Sequence, residues 1–193
     1  MENNQTKMRV ISGKFKGKNI KFLKSNSTRP LKDSVKENIF NILVHSKRIN
    51  INIQNSKVLD LYAGIGSFGL ECLSRGAKLV TFIEKDKIVF KILKENLLDF
   101  SLNYRSEMIN EKVEKILQKQ INEKYNIFFF DPPFADTQFR ENINLIKNLK
   151  IFAKDHILII HREHKSKDEL EKLFKICEEK IYGRSKIIFG TFV

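Results

Sequence analysis

Val58-Leu-Asp-Leu-Tyr-Ala-Gly-Ile-Gly-Ser-Phe-Gly-Leu-Glu71 decides how the rest of the chain is read. It opens as an apolar strand that ends in an acid, Asp60, and runs into a turn carrying Gly64, Gly66 and Gly69. A helix is expected from about Ser67. Glycines let the backbone turn sharply and pass close to a ligand, because no Cβ intrudes. The start of the helix adds unpaired N–H groups facing the same spot. Such a turn cradles a nucleotide-type cofactor.

Outward from that turn, the next apolar run, Leu79-Val-Thr-Phe-Ile-Glu84, ends in an acid twenty residues after Gly64. A carboxylate there can accept from both hydroxyls of a ribose. Alone, Gly64-x-Gly66-x-x-Gly69 also fits a dinucleotide turn. The offset of the first glycine from Asp60 argues against that, and so does a second motif, Asp131-Pro-Pro-Phe134, closing a later apolar run.

From Lys57 the pattern alternates between the two periodicities. Strands are expected at 57–61, 79–84, 105–109, 126–130 and 156–161, and helices near 67–75, 86–99, 111–119, 138–149 and 167–178. This alternation predicts a mostly parallel sheet with helices on both faces. The end changes style. Lys180-Ile-Tyr-Gly-Arg184 and Lys186-Ile-Ile-Phe-Gly-Thr-Phe192 read as two strands joined by a tight turn.

The 193 residues suffice for one domain with a sizeable core. No apolar run approaches a membrane span and no signal-peptide pattern is present, so no membrane partner is expected; a monomer in the reducing cytoplasm is the expectation. Cys72 and Cys177 lack metal-ligand spacing, and both fall in apolar helical patterns that predict burial. His45, His156, His161 and His164 show no ligand spacing either, so no metal is expected.

The net charge is +13, and residues 1–36 hold ten basic residues against Glu2 and Asp33, which gives +8 of it. That excess favours a polyanionic partner; a solvated basic surface is the plainer alternative. Met8–Ile11 and Asn19–Leu23 read as short strands of a basic hairpin carrying Lys14, Lys16 and Lys18, with Phe15 near its tip. Phe15 either stacks on an unpaired base or packs under the hairpin. A helix follows from about Asp33 to Val44, with Val35, Ile39, Phe40, Leu43 and Val44 on one face. Residues 1–50 are therefore expected as an RNA-binding extension and 51–193 as the main domain.

Together these pieces resemble the RsmD family of 16S rRNA guanine-N2 methyltransferases. The matching pieces are Ile11–Lys18, Arg29-Pro-Leu-Lys-Asp-Ser-Val-Lys-Glu-Asn-Ile-Phe40, Val58–Glu71, Phe82-Ile-Glu-Lys85, Asp131-Pro-Pro-Phe134 and Tyr182-Gly183. The resemblance implies a Rossmann-like class I S-adenosylmethionine-dependent methyltransferase, an α/β fold with a seven-stranded, mostly parallel sheet and an N-terminal β-hairpin and helix. It implies methylation of guanine 966 of 16S rRNA, with the rRNA or the small ribosomal subunit as partner. The cofactor, S-adenosyl-L-methionine, is expected on Asp60, Tyr62, Ala63, Gly64, Gly66, Glu84 and Lys85. Catalysis is expected from Asp131, Pro132, Pro133 and Phe134, and substrate binding from Lys14, Lys16, Lys18 and Arg29. Two segments depart from the family pattern. Lys112 stands where the family places an Asp or Asn beside adenine, with Asn110, Glu111 or the backbone as alternatives. At His161-Arg-Glu-His164 the pattern has an acid slightly earlier. Neither segment enters the expected site.

The chemistry is consistent with that assignment. A guanine amine is a poor nucleophile that needs acceptors to draw it towards tetrahedral geometry. The Asp131 carboxylate and the Pro132 carbonyl can supply two, and the prolines fix φ. Phe134 can stack on a base withdrawn from its own stack. A DNA adenine-N6 methyltransferase would use the same turn but needs a target-recognition domain that no stretch here can supply. A non-catalytic RNA-binding or ribosome-assembly protein would not need the glycine loop or Asp-Pro-Pro-Phe.

Overall fold

A computed structural model describes residues 8–22, 31–119 and 121–193. A short hairpin, β1 (Met8–Arg9) with β2 (Asn19–Ile20), leads to α1 (Asp33–His45). The alternating part follows: β3 (Lys57–Asp60), α2 (Ser67–Ser74), β4 (Leu79–Ile83), α3 (Lys87–Asp99), β5 (Ser106–Ile109), α4 (Val113–Leu117), β6 (Tyr125–Phe130), α5 (Phe139–Leu149) and β7 (Phe152–Glu163). The chain ends in β8 (Lys175–Tyr182) and β9 (Ser185–Thr191).

Seven strands form one sheet in the order β5-β4-β3-β6-β7-β9-β8. The first five in that order are parallel, while β9 runs antiparallel to both β7 and β8. The expected α/β architecture is therefore observed. Side chains alternate across the strands into two cores. Val58, Val80, Phe82, Ile127, Phe129, Ile157, Ile159, Ile187 and Phe189 point towards α1, α2 and α3. Leu59, Ile83, Phe128, Phe130, Leu158, Ile160 and Ile188 point towards α4 and α5. A strand that is apolar on both faces belongs in the middle of such a sandwich.

The hairpin and α1 share the first of these cores through Met8, Val10, Ile20, Val35, Ile39, Phe40 and Leu43. An aromatic stack joins α1 to the sheet: Phe40 lies 5.2 Å from Phe68 of α2, which lies 3.9 Å from Phe129 of β6. The α1 face differs from expectation at two positions. Val44 is exposed, and Lys36 is fully buried instead. Burial pushes the Lys36 amine below its usual value, against the opposing pull of Asp33 and Glu71. Its Nζ donates to the Arg9 carbonyl at 2.8 Å, tying helix to hairpin.

The helix expected at 167–178 does not form. Leu170, Leu173, Phe174 and Cys177 carry helical spacing, yet Glu169 adopts φ 45° and a single 3-10 turn spans Leu170–Lys172. From Lys175 the chain extends and pairs with β9 from Lys175↔Thr191 to Tyr182↔Ser185. The ladder satisfies the outer backbone groups of β9, which a helix could not do. Phe174 packs against Gly190, where any Cβ would overlap its ring. Cys177 is consequently a half-buried strand residue, not a helical core residue, whereas Cys72 is fully buried in α2 as expected.

Candidate active site at the strand ends of β3 and β6

Strand order reverses between β3 and β6. The chain steps outward to β4 and β5 on one side and to β7 on the other. Open α/β sheets bind ligands in the crevice at the carboxyl ends of strands at such a switch point. Asp60 is the last residue of β3 and Asp131 directly follows β6, with Asp60 registered against Phe129.

The glycine loop leaves β3 and enters α2 through Gly66, which precedes the helix with φ 85°. A side chain is strained in that left-handed backbone, and a Cβ there would also overlap Leu93. Gly69 lets α2 lie directly on Phe82. Asp60 is buried beneath the loop and its Oδ2 accepts from the Gly69 N–H at 3.2 Å. Its Oδ1 is buried with no hydrogen-bond partner among the described residues. Burial pushes the carboxyl well above the ordinary 3.8. The Gly69 N–H opposes that shift, and the like charges of Asp131 and Glu84 add to it. A buried carboxylate oxygen without a donor, under a glycine turn and a helix start, fits a cofactor that brings a cationic donor.

Glu84 faces the same loop. Its Oε2 accepts from the Gly64 N–H at 2.8 Å and its Oε1 from the Asp86 N–H at 2.7 Å. Each oxygen keeps a second lone pair. A Cβ built on Gly64 would meet open space. Ala63 donates its N–H to the Ile83 carbonyl at 3.0 Å, holding the loop to β4. Tyr62 turns the other way: its hydroxyl accepts from Asn142 Nδ2 at 3.0 Å, and burial pushes its ionisation upward. Lys85 is exposed. Asn110 Nδ2 donates to the carbonyls of Glu84 (2.8 Å) and Lys85 (3.2 Å), so it shapes this corner of the loop, while the Lys112 side chain is exposed.

On the other side of the crevice, Pro132 is buried and Phe134 is 42 % exposed, with its ring available at the surface. Two neighbours on β7, unassigned by the sequence reading, fix this turn. His161 Nδ1 lies 2.8 Å from Asp131 Oδ1, and its Nε2 lies 2.9 Å from Ser185 Oγ on β9. The Arg162 guanidinium donates to the carbonyls of Pro133 (3.2 Å) and Phe134 (2.9 Å). It also pairs twice with Asp168 and lies 4.4 Å over the Phe139 ring. Burial works against the Asp168 charge, but the hydrogen bonds from Arg162 and the neighbouring cations Arg162 and Lys186 hold its carboxyl below 3.8. The sequence carries no local signal for His161: it meets Asp131 only because β6 and β7 pair in parallel, with Phe130 opposite Ile160 and Asp131 one step further.

The lysines expected to bind substrate are not brought to this crevice. Lys14, Lys16 and Lys18 are exposed on the hairpin, which is pinned to the far ends of α2 and α3. Glu71 accepts from the N–H groups of Ile11 (2.7 Å) and Ser12 (2.9 Å), and Ser74 Oγ accepts from that of Phe15 (3.0 Å). A Cβ at Gly13 would overlap the Ser74 carbonyl. Phe15 packs edge-on against Phe100 at 5.3 Å, which decides between the two readings of that ring in favour of packing. Lys18 Nζ donates to the Asp99 carbonyl at 2.5 Å and lies 4.3 Å over Phe100. Arg29, and with it any pairing to Asp33, lies outside the described residues. Among the described residues no group of three or more His, Cys, Asp or Glu could hold a metal, and no helix is long and apolar enough to cross a membrane.

The sheet order with its switch-point crevice defines a Rossmann-like class I methyltransferase fold. The solved Escherichia coli protein yhhF superposes with a TM-score of 0.78 at 27% identity, over 95% of this chain and 97% of that one. The family described as Conserved hypothetical protein 95 matches residues 8–191. Ribosomal RNA small subunit methyltransferase D of Buchnera aphidicola is 34% identical over 176 residues, covering 91% of this chain and 88% of the relative. The Haemophilus influenzae protein of the same name is 37% identical over 146 residues, covering 75% and 72%. The chain belongs to this family, the RsmD family.

Proposed function

We propose that the protein transfers a methyl group from S-adenosylmethionine to the exocyclic N2 amine of a guanine in small-subunit ribosomal RNA. The observation that carries this reading is the juxtaposition of the glycine loop over Asp60 with the Asp131-Pro-Pro-Phe134 turn, at the ends of adjacent strands. The names of the relatives support the methyl transfer and the rRNA substrate. The finer assignment to N2, and to the guanine that gives the family its name, rests on the acceptor chemistry of the turn and the family resemblance.

When bound, the cofactor supplies a methyl group activated by a sulfonium charge. The Gly64–Gly66 loop and the α2 start receive its polar end, with Ala63 and Lys85 flanking the loop and Tyr62 bracing it from the α5 side through Asn142. Asp60 Oδ1 accepts from its ammonium, and Glu84 takes the ribose hydroxyls on its remaining lone pairs. Phe134 stacks on the extruded base. Asp131 Oδ2 and the Pro132 carbonyl accept from the two amine hydrogens and aim the nitrogen lone pair for in-line attack. Asp131 then takes the departing proton. Lys14 and Lys16 contact phosphates away from the target base, and Arg29, outside the described residues, is a further substrate-binding candidate. A 13-residue α3 separates its two ends by roughly 20 Å, so that contact requires a substrate extended across the surface.

The test is methyl transfer from labelled cofactor to small subunits, naked rRNA and DNA, with the modified nucleoside identified by mass spectrometry. N2-methylguanosine is expected. Methyladenosine would overturn the substrate assignment, and no transfer to any of the three would overturn the activity.

A further inference from the structure

His161 touches both reactive members of the turn and belongs to neither the glycine loop nor the Asp-Pro-Pro-Phe motif. It ends the buried run of β7 and is itself 8 % exposed. Its Nδ1 lies 2.8 Å from Asp131 Oδ1, and its ring meets Phe134 edge-to-face at 5.8 Å and 80°. A carboxylate oxygen only accepts, so the hydrogen in the first contact sits on Nδ1. In the neutral ring Nε2 is then an acceptor, which the Ser185 hydroxyl satisfies at 2.9 Å. The ring is therefore held on both nitrogens, from β6 and from β9.

We propose that His161 is a positioning residue for methyl transfer. Donating from Nδ1 and anchored at Nε2 by Ser185, it occupies Asp131 Oδ1 and turns Oδ2 towards the substrate amine, while its ring sets the plane of Phe134. This rests on the methyltransferase reading above. Arg162, the next residue on β7, holds the Pro133 and Phe134 carbonyls from the opposite face of the strand, so the backbone of the turn and its carboxylate are fixed separately. The hydrogen bonds and ring contact of His161 go to Asp131, Ser185 and Phe134, and none of them to the glycine loop, so its loss acts on the alignment of the amine and leaves cofactor binding alone.

The experiment pairs kinetics with imidazole nitrogen NMR on the full chain. His161→Ala is expected to lower kcat on the order of 10²-fold, the scale of a misplaced catalytic group, with KM for the cofactor unchanged. His161→Asn, whose amide N–H can replace the Nδ1–H donor, should recover most of that loss. Nitrogen-15 shifts of the wild-type protein should report the Nδ1–H tautomer, and Asp131→Ala should release it. An undiminished kcat in His161→Ala, a loss confined to KM, an Asn variant as slow as the Ala variant, or an Nε2–H tautomer in the wild type would each overturn the proposal. If the wild type itself transfers no methyl group, the activity reading has failed. The tautomer and its response to Asp131→Ala still decide whether His161 and Asp131 are coupled as proposed.

Discussion

Asp60 and Asp131 sit at the ends of neighbouring strands of one sheet and are supported in opposite ways. The Asp60 carboxylate is buried, and among the described residues it accepts from the N–H of Gly69, nine residues on in the first turn of α2. Its other oxygen has no partner among the described residues. Asp131 is half-buried and its partner, His161, is thirty residues away on the next strand. The first carboxylate is left incomplete by the protein, as a site for a cationic ligand would be. The second is braced by the protein, as a group that must hold its aim would be. The free energy of a buried unpaired oxygen is offset by the ligand; that of an oriented carboxylate is built into the fold.

The strongest way to break this comparison is at Asp131. Asp131→Ala should lower transfer by roughly 10²–10⁴-fold, with cofactor and RNA binding retained, because alignment acts at the transition state. Parallel rate and binding measurements check it. A variant that loses cofactor affinity as much as rate would make the two carboxylates one binding site.

Arg162 tests whether the second end is braced through its backbone. The guanidinium is buried against Asp168, Phe139 and two turn carbonyls. Arg162→Ala should destabilise the fold by about 1–3 kcal/mol, since two turn carbonyls lose their buried donor and the half-buried Asp168 loses its counter-charge. Denaturant unfolding measures this. The same loss should slow transfer without weakening cofactor binding.

Asp60 should behave in the opposite sense. A carboxyl raised in the folded state gives a contribution to stability that is fully present below its unfolded value near 3.8 and is lost as pH rises through its higher folded value. The unliganded protein should therefore lose stability on this account as pH climbs out of the acid range. Asp60→Asn should remove that slope and stabilise the unliganded protein at neutral pH by about 1–3 kcal/mol, the scale of an unsatisfied buried group. It should also weaken cofactor binding. Thermal unfolding across pH, with and without cofactor, checks both signs, and an Asn variant less stable at neutral pH would remove the incomplete-site interpretation.

The same contrast explains what was legible in the sequence. The glycine loop, Asp60 and Glu84 were readable because their partners are local or lie on adjacent apolar runs whose period fixes the fold. The strand–helix alternation from 57 to 161 was readable for the same reason. The supports of Asp131 were not, because His161 and Arg162 meet the turn only through the lateral pairing of β6 with β7. β8 was misread because Leu170, Phe174 and Cys177 carry a helical period that edge pairing with β9 overrides. The burial of Lys36 was not legible because the amine is satisfied by a distant hairpin carbonyl as well as by Asp33.

The smallest expected effect concerns the basic hairpin, where the structure separates lysines that the sequence groups together. Lys18 is committed within the protein, to the Asp99 carbonyl and the Phe100 ring. Lys14 lies 5.6 Å from the Phe15 ring with its amine exposed, and Lys16 is exposed as well. Each phosphate neutralised contributes a slope of roughly −0.7 to −0.9 in log affinity against log salt. Lys14→Ala and Lys16→Ala should each flatten the slope by about that amount and leave the melting temperature in place. Lys18→Ala should do the reverse, loosening the hairpin on α3 with little change in salt dependence. RNA binding titrated across salt, beside thermal melts of the three variants, distinguishes them. Equal slopes in all three would mean that the hairpin packs against the domain without carrying the RNA, and that the substrate reaches Asp131 by another face.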